Sequence, residues 1–224
     1  MNTILSNKRA SGLAARAAAV VAGAAALTLG VGVGGAFALP LDTIDAGSYD
    51  AIEVGFDSGT DQLVVGGHDH GAVPPADPEF NPEDFQFETD QDDLINGGWT
   101  IAEAGGPLSL GIAAEGDLWD DLGGSLTNPE LTITISNFSG PGDLVVWEGS
   151  STITSPIFDT GAVTPDLSET IELHAPAGPG DESYHQHYSW NFSATGTYTF
   201  EVVVSEDGIV ADPSDAVLYT FVVS

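Results

Sequence analysis

Cysteine is missing from all 224 residues, and lysine and arginine together number only three. Without cysteine there is no disulfide, no thiolate nucleophile and no Cys-ligated zinc site. The three basic residues are Lys8, Arg9 and Arg16, all within the first sixteen positions, whereas the first of 34 acidic residues is Asp42. From about residue 39 onward the chain therefore carries carboxylates and no lysine or arginine. Such a surface cannot neutralise phosphates, which excludes nucleic acid and anionic membranes as partners on electrostatic grounds. It also cannot form a Lys/Arg salt bridge, so its self-repulsion must be relieved by counterions. A charge of −31 would point to disorder, but a hydrophobic content of 42% supplies enough apolar surface for a folded core.

The basic residues head a leader. A charge-free Ala/Val/Leu/Gly stretch from Ala17 to Gly35 follows them, and Ala36-Phe37-Ala38 forms an A-x-A cleavage site. Residues 1–38 are therefore expected to be a signal peptide, with a single domain at 39–224, secreted or extracellular. The competing expectation is an uncleaved anchor, because the charge-free run reaches the roughly 18 residues that a membrane-spanning helix needs. No second apolar run precedes Val222-Val223-Ser224, so no C-terminal anchor or sorting tail is expected.

Beyond residue 40 the pattern is one of short β-branched and aromatic runs punctuated by Gly, Pro, Asn and Asp. Strands are expected near Ala51–Phe56, Gln62–Val65, Phe85–Thr89, Leu108–Ile112, Glu130–Ser136, Asp143–Trp147, Glu169–Leu173, Tyr184–Phe192, Thr197–Val204 and Ala216–Val223. Helical periodicity is missing. The stretch Gly71 to Asp84 reads as a surface loop, since Pro74, Pro75 and Pro78 cannot join a central strand. Ten such strands predict an all-β fold, an antiparallel immunoglobulin-like β-sandwich. Trp190, Phe192, Tyr198 and Phe200 are expected in its core, on two strands paired as a hairpin through Ala194-Thr195-Gly196.

The chemical signal is histidine. Four of the five form two His-x-His pairs, His68-Asp69-His70 and His185-Gln186-His187, and His174 lies upstream of the second. Residues i and i+2 of a strand project from one face, so each pair can present two imidazoles to one ion. His185 and His187 share the parity opposite to Trp190 and Phe192, which points them out of the aromatic core in the absence of a bulge. With carboxylates to complete it, a site built from His68, His70, His174, His185 and His187 suits Zn²⁺, and also Mn²⁺, Fe²⁺ or Cu²⁺. The alternative is that they are ordinary exposed or hydrogen-bonded histidines of an acidic protein. Acidic clusters at Asp90-Gln91-Asp92-Asp93, at Asp117 with Asp120-Asp121, and at Asp207, Asp212 and Asp215 are oxygen donors suited to Ca²⁺, though none follows the EF-hand pattern, and each also reads as solvated surface.

The run from His185 to Phe200, His-Gln-His-Tyr-Ser-Trp-Asn-Phe-Ser-Ala-Thr-Gly-Thr-Tyr-Thr-Phe, resembles the H-x-H-x-x-W-x-F-(S/T)-x-x-G-x-Y signature of a surface-anchored repeat in Gram-positive cell-wall proteins. Upstream, Ser139-Gly140-Pro141-Gly142-Asp143 is similar to the S-G-P-G-D segment of choice-of-anchor M domain proteins. These motifs cover residues 138–204, with Ser189 where the family often has Asn. The resemblance implies an exported β-rich domain found alongside zinc or manganese uptake transporters, with a role in metal handling.

Three functions are in view. An extracellular Zn or Mn binder, partnered by divalent ions and by an uptake transporter or the cell wall, is the first. A structural or adhesive surface module without specific metal binding is the second. An enzyme is not expected: no Lys or Arg can clamp a developing oxyanion, no nucleophile elbow is present, and cleavage would leave Leu39 rather than a histidine at the N-terminus.

Overall fold

The computed structural model describes residues 41–71, 79–90, 96–123, 129–149, 152–153, 155–162, 165, 167–176, 182–206 and 211–224. The expected signal peptide at 1–38, the Ala72–Pro78 segment, Asp92, Asp93 and Asp207 lie outside them.

The described residues form an all-β fold with one helical turn, Leu118–Asp121, and a 3-10 turn at Pro82–Asp84. One sheet has six strands: β1 (Asp42–Ile44), β5 (Phe85–Thr89), β14 (Val217–Val223), β13 (Gly196–Glu206), β8 (Glu130–Ser139) and β11 (Ser168–Glu172), in that spatial order. The other runs β10 (Phe158–Asp159), β9 (Leu144–Trp147), β12 (Tyr184–Phe192), β7 (Leu108–Ala114), β2 (Gly47–Asp57), β3 (Gln62–Asp69) and β4 (Glu79–Phe80), with β6 (Trp99–Ile101) also paired to β12. No helix among the described residues is long and apolar enough to cross a membrane.

The sheets face each other across one core. Phe221 on β14 lies at its centre, with ring centroids 5.5 Å from Trp190, 5.2 Å from Phe192, 5.5 Å from Phe200 and 5.1 Å from Phe87. Trp147, Trp190, Phe192, Tyr198 and Phe200 are fully buried. The alternation of β8 is equally plain: Leu131, Ile133 and Ile135 are buried between less buried threonines.

All ten expected strands occur. Four more, β1, β4, β6 and β10, are two or three residues long, too short to show a period. One of them, β4, and the 3-10 turn fall within the Gly71–Asp84 stretch read as loop. At Gly67, opposite β4, the Phe80 ring occupies the space a side chain would need.

Two expectations are corrected. The sheets are mixed rather than antiparallel: β1 pairs with β5, β14 with β5 and β2 with β7 in parallel. The physical reason is that the chain leaves β2, contributes β5 to the opposite sheet and returns as β7, a long excursion that a parallel pair requires. Secondly, β12 and β13 are not a hairpin. They belong to opposite sheets, and Ser193–Thr195 arches between them. Aromatic rows on both strands are better buried facing each other across a core than side by side, and Trp190 and Phe200 stack at 6.5 Å and 12°. The Tyr198 hydroxyl fixes the arch by donating to the Ala194 carbonyl at 2.8 Å and accepting from the Ala194 amide at 3.1 Å.

One irregularity of β2 positions everything that follows. Its register to β7 passes from Asp50↔Gly111 to Ile52↔Ile112, so Ala51 is an extra residue, a β-bulge. In an unbroken strand Asp50 would share the inward parity of Ile52 and Val54. The bulge turns it to the outer face. The Tyr219 hydroxyl reaches across from the opposite sheet and donates to the Ala51 carbonyl at 2.8 Å, occupying an acceptor at the irregularity.

Candidate metal centre

The outer face of the eight-stranded sheet is laid out in rows by strand register. The first row is Ser109 on β7 and Ser48 on β2, with His70 joined to Ser48 by a backbone hydrogen bond of 3.1 Å. The second is His187, Gly111, Asp50 and His68 on β12, β7, β2 and β3. The third is His185, Ala113, Glu53 and Gly66 on the same four strands. Directly paired residues lie on one face. Acids come from β2 and histidines from β12 and the end of β3, while the outward positions of β7 are small. A Cβ at position 111 would run into Asp50 Oδ1 and come within 3.4 Å of the His187 ring. Glycine there lets side chains from β2 and β12 meet above β7.

Asp50, His70, His185 and His187 meet in this space. Each offers a ligand atom, and the four atoms lie within 4.8 Å of one another, the only such group of three or more among the described residues. Asp50 is fully buried beneath the others. Its Oδ2 stands 2.8 Å from His70 Nε2 and its Oδ1 3.3 Å from His185 Nε2. Yet neither oxygen has a hydrogen bond of good geometry. The short distances without hydrogen-bond alignment describe nitrogen and oxygen atoms gathered round a shared point more than donors aimed at acceptors.

The far nitrogens of the two β12 imidazoles are held by other groups. His185 Nδ1 is 2.8 Å from Glu182 Oε2, which leaves Nε2 directed at Asp50. His187 Nδ1 is 2.8 Å from Ser109 Oγ. The Ser109 hydroxyl already donates its one proton to the Glu103 carbonyl at 2.6 Å, so in that contact His187 is the donor. This assigns the neutral ring its Nδ1–H tautomer and leaves Nε2 with a bare lone pair. A carboxylate or hydroxyl on the far nitrogen is how ligating histidines are oriented.

The electrostatics divide the histidines. Asp50, then Glu182, raise the His185 pKa to about 10 against the opposing effect of burial. Glu53, 3.4 Å from His68 Nδ1, raises His68. Burial lowers His187, helped by the positive charge that His185 and His70 can carry. Near neutrality His185 thus holds a proton beside Asp50, where a metal ion would supply the positive charge instead.

Three imidazole nitrogens and one carboxylate oxygen are a donor set that Zn²⁺ and Mn²⁺ accept. Ligands about 2.0–2.1 Å from a tetrahedral Zn²⁺ lie roughly 3.4 Å from each other, so the widest pair must close by no more than about 1.5 Å.

The other two histidines are placed apart. His68 stands beside the group, its ring 5.2 Å from His70, paired with Glu53. His174 is exposed beyond the end of β11, its amide donating to the Ser183 carbonyl at 2.9 Å. Among the described residues, Asp117, Asp120, Asp121, Asp212 and Asp215 form no group of converging ligand atoms.

The sequence reading did not single out Asp50, Glu53, Glu182 or Ser109. A signal for the first two was present. From residue 39 on there is no Lys or Arg, so an acid inside the apolar run from Tyr49 to Phe56 needs a histidine, an ion or its own proton to neutralise it. No family model matches the chain, and neither does any curated protein.

Proposed function

We propose that this chain is an exported, non-catalytic protein whose domain at 39–224 captures Zn²⁺ or Mn²⁺ at Asp50, His70, His185 and His187, for delivery to an uptake transporter at the cell surface. The observation that carries the reading is the meeting of three imidazoles over one fully buried carboxylate. A field of acidic residues with no competing Lys or Arg concentrates divalent cations around the site. The leader with its Ala36-Phe37-Ala38 site supports export, and the resemblance of residues 138–204 to choice-of-anchor M domains supports a setting in metal uptake. In fold terms the reading is an immunoglobulin-like sandwich, supported by the two facing sheets and by Tyr198, whose hydroxyl bonds back to Ala194 as the tyrosine corner of such domains does. The lack of a Lys or Arg from residue 39 onward to hold an anionic substrate favours binding over catalysis.

Titration calorimetry with Zn²⁺ and with Mn²⁺ on untagged protein tests the site. One ion should bind per chain, and Asp50→Ala and His187→Ala should each weaken it about 100-fold or more, whereas His174→Ala should not. Parental affinity in both site variants would remove the assignment.

One observation favours a second reading, a structural or adhesive module. His185 between Asp50 and Glu182, and His68 beside Glu53, neutralise buried acids without any ion. Metal analysis of the purified protein separates the two, since this reading leaves Zn and Mn far below one equivalent.

A further inference from the structure

An open cavity of about 430 Å³ lies beside the candidate centre, lined by Ser48, Glu103, Ala104 and Ser109 and by the two β12 ligands, His185 and His187. It sits over the row of serines next to the ligand row, where β7 and β2 present Ser109 and Ser48 outward. The protein therefore supplies donors from the floor and from the β12 and β3 sides, and leaves the Ser48–Ser109 side open.

Glu103 stands at that opening by construction. Its amide donates to Ser189 Oγ at 3.1 Å, its carbonyl accepts from Ser109 Oγ at 2.6 Å, and its charge reaches the His187 ring. The segment carrying it is thus tied to both strands that flank the cavity, β12 through Ser189 and β7 through Ser109.

We propose that an ion held by Asp50, His70, His185 and His187 keeps an exchangeable coordination position facing this cavity, taken by water or a small neutral oxygen donor bearing a hydroxyl that hydrogen-bonds to Glu103. The inference rests on the metal-binding reading above. Its chemistry follows from the donor count. Mn²⁺ prefers six oxygen or nitrogen donors and Zn²⁺ expands to five, so four protein donors leave room for a further ligand. A ligand carrying an O–H satisfies both the ion and the carboxylate. A bare anion such as azide meets the Glu103 charge and gains no hydrogen bond. Such a position is where a receiving ligand enters when the ion is passed on.

Two measurements test it on the ion-loaded full protein. In the Mn²⁺ form, water-proton relaxivity per ion should be at least that of the free aqua ion, as for an inner-sphere water in rapid exchange. In the Co²⁺ form near neutrality, acetohydroxamic acid, a neutral oxygen donor that carries an N–O–H, should change the visible spectrum saturably, azide should do so at least tenfold more weakly, and Glu103→Gln should weaken acetohydroxamic acid about tenfold, with ion affinity measured in the same variant. A 1:1 ion with only outer-sphere relaxivity and no response to acetohydroxamic acid overturns the open position and leaves the metal reading standing. Equal response to azide and acetohydroxamic acid, or no effect of Glu103→Gln, overturns the role given to Glu103. Absence of 1:1 ion binding overturns both readings together.

Discussion

The two faces of the eight-stranded sheet are built on opposite principles. The inner face is filled: Trp190 and Phe192 of β12 lie against Phe221 at 5.5 and 5.2 Å, and Ile112 of β7 is fully buried. The outer face is emptied at its centre: Gly111 and Ala113 of the same β7 carry almost no side chain, and acids and histidines from the neighbouring strands lean into the space. Close packing makes the inner face tolerant of nothing that changes volume. On the outer face the constraint is charge: removing bulk leaves room, whereas moving a carboxylate removes the site.

The comparison breaks most visibly on the inner side. Trp190→Ala takes a fully buried ring from the stack with Phe200 and Phe221 and should cost about 3–5 kcal/mol of folding stability. Denaturant unfolding measures it, and ion affinity of the folded fraction should change far less than stability does. A loss below about 1 kcal/mol would mean that the core collapses into the space.

On the outer side, Glu115 sharpens the same contrast. It lies over Gly55, where an added Cβ would come within 2.8 Å of its carboxylate. Burial, then repulsion from Glu53, Asp117, Glu79 and Asp121, raises its pKa from 4.5 to about 8. The folded protein therefore holds this proton more tightly than the unfolded chain. Between about pH 4.5 and 8 the folded state binds more protons, so stability falls as pH rises through that window. Glu115→Gln, which keeps the shape of the protonated acid, should leave stability near pH 4.5 unchanged and raise it by about 1–3 kcal/mol above pH 8. Unfolding curves of parent and variant that stay parallel across this range would show that Glu115 titrates normally.

Much of the inner face was legible in the sequence because burial there follows simple periods. Leu131-Thr132-Ile133-Thr134-Ile135 alternates without interruption and Tyr198–Val204 does so except at Val203, and both strands occur where the alternation is. The pairing was less legible. A short Ala-Thr-Gly link suits a hairpin and an arch equally well by local chemistry, and only the need to bury two aromatic rows against each other separates them. The centre was half legible. The i and i+2 spacing of His185 and His187 places both on the outer face, and β12 carries no bulge to spoil it. Identical spacing at His68 and His70 does not give an identical result, because His70 lies past the last residue of β3 and swings to Asp50 while His68 stays with Glu53. Asp50 was hidden for a definite reason: by parity it belongs with Ile52 and Val54, and a single inserted residue reverses it.

That inserted residue links the two faces, and Tyr219 is where the link can be cut. The ring of Tyr219 belongs to the core, stacked on Phe200 at 5.7 Å, whereas its hydroxyl donates to the carbonyl of Ala51, the bulged residue next to Asp50. Tyr219→Phe keeps the ring and deletes the bond, leaving a buried carbonyl with one partner fewer. Stability should fall by about 1 kcal/mol, the smallest stability effect considered. The informative quantity is the ratio of that loss to the change in ion affinity. If the bulge is held from the opposite sheet, Zn²⁺ affinity should fall about tenfold with the core otherwise intact, the reverse of the pattern expected for Trp190→Ala. Unchanged affinity in Tyr219→Phe would mean that β2 keeps its bulge through its pairing with β3 and β7 alone, and that the inner face does not orient Asp50.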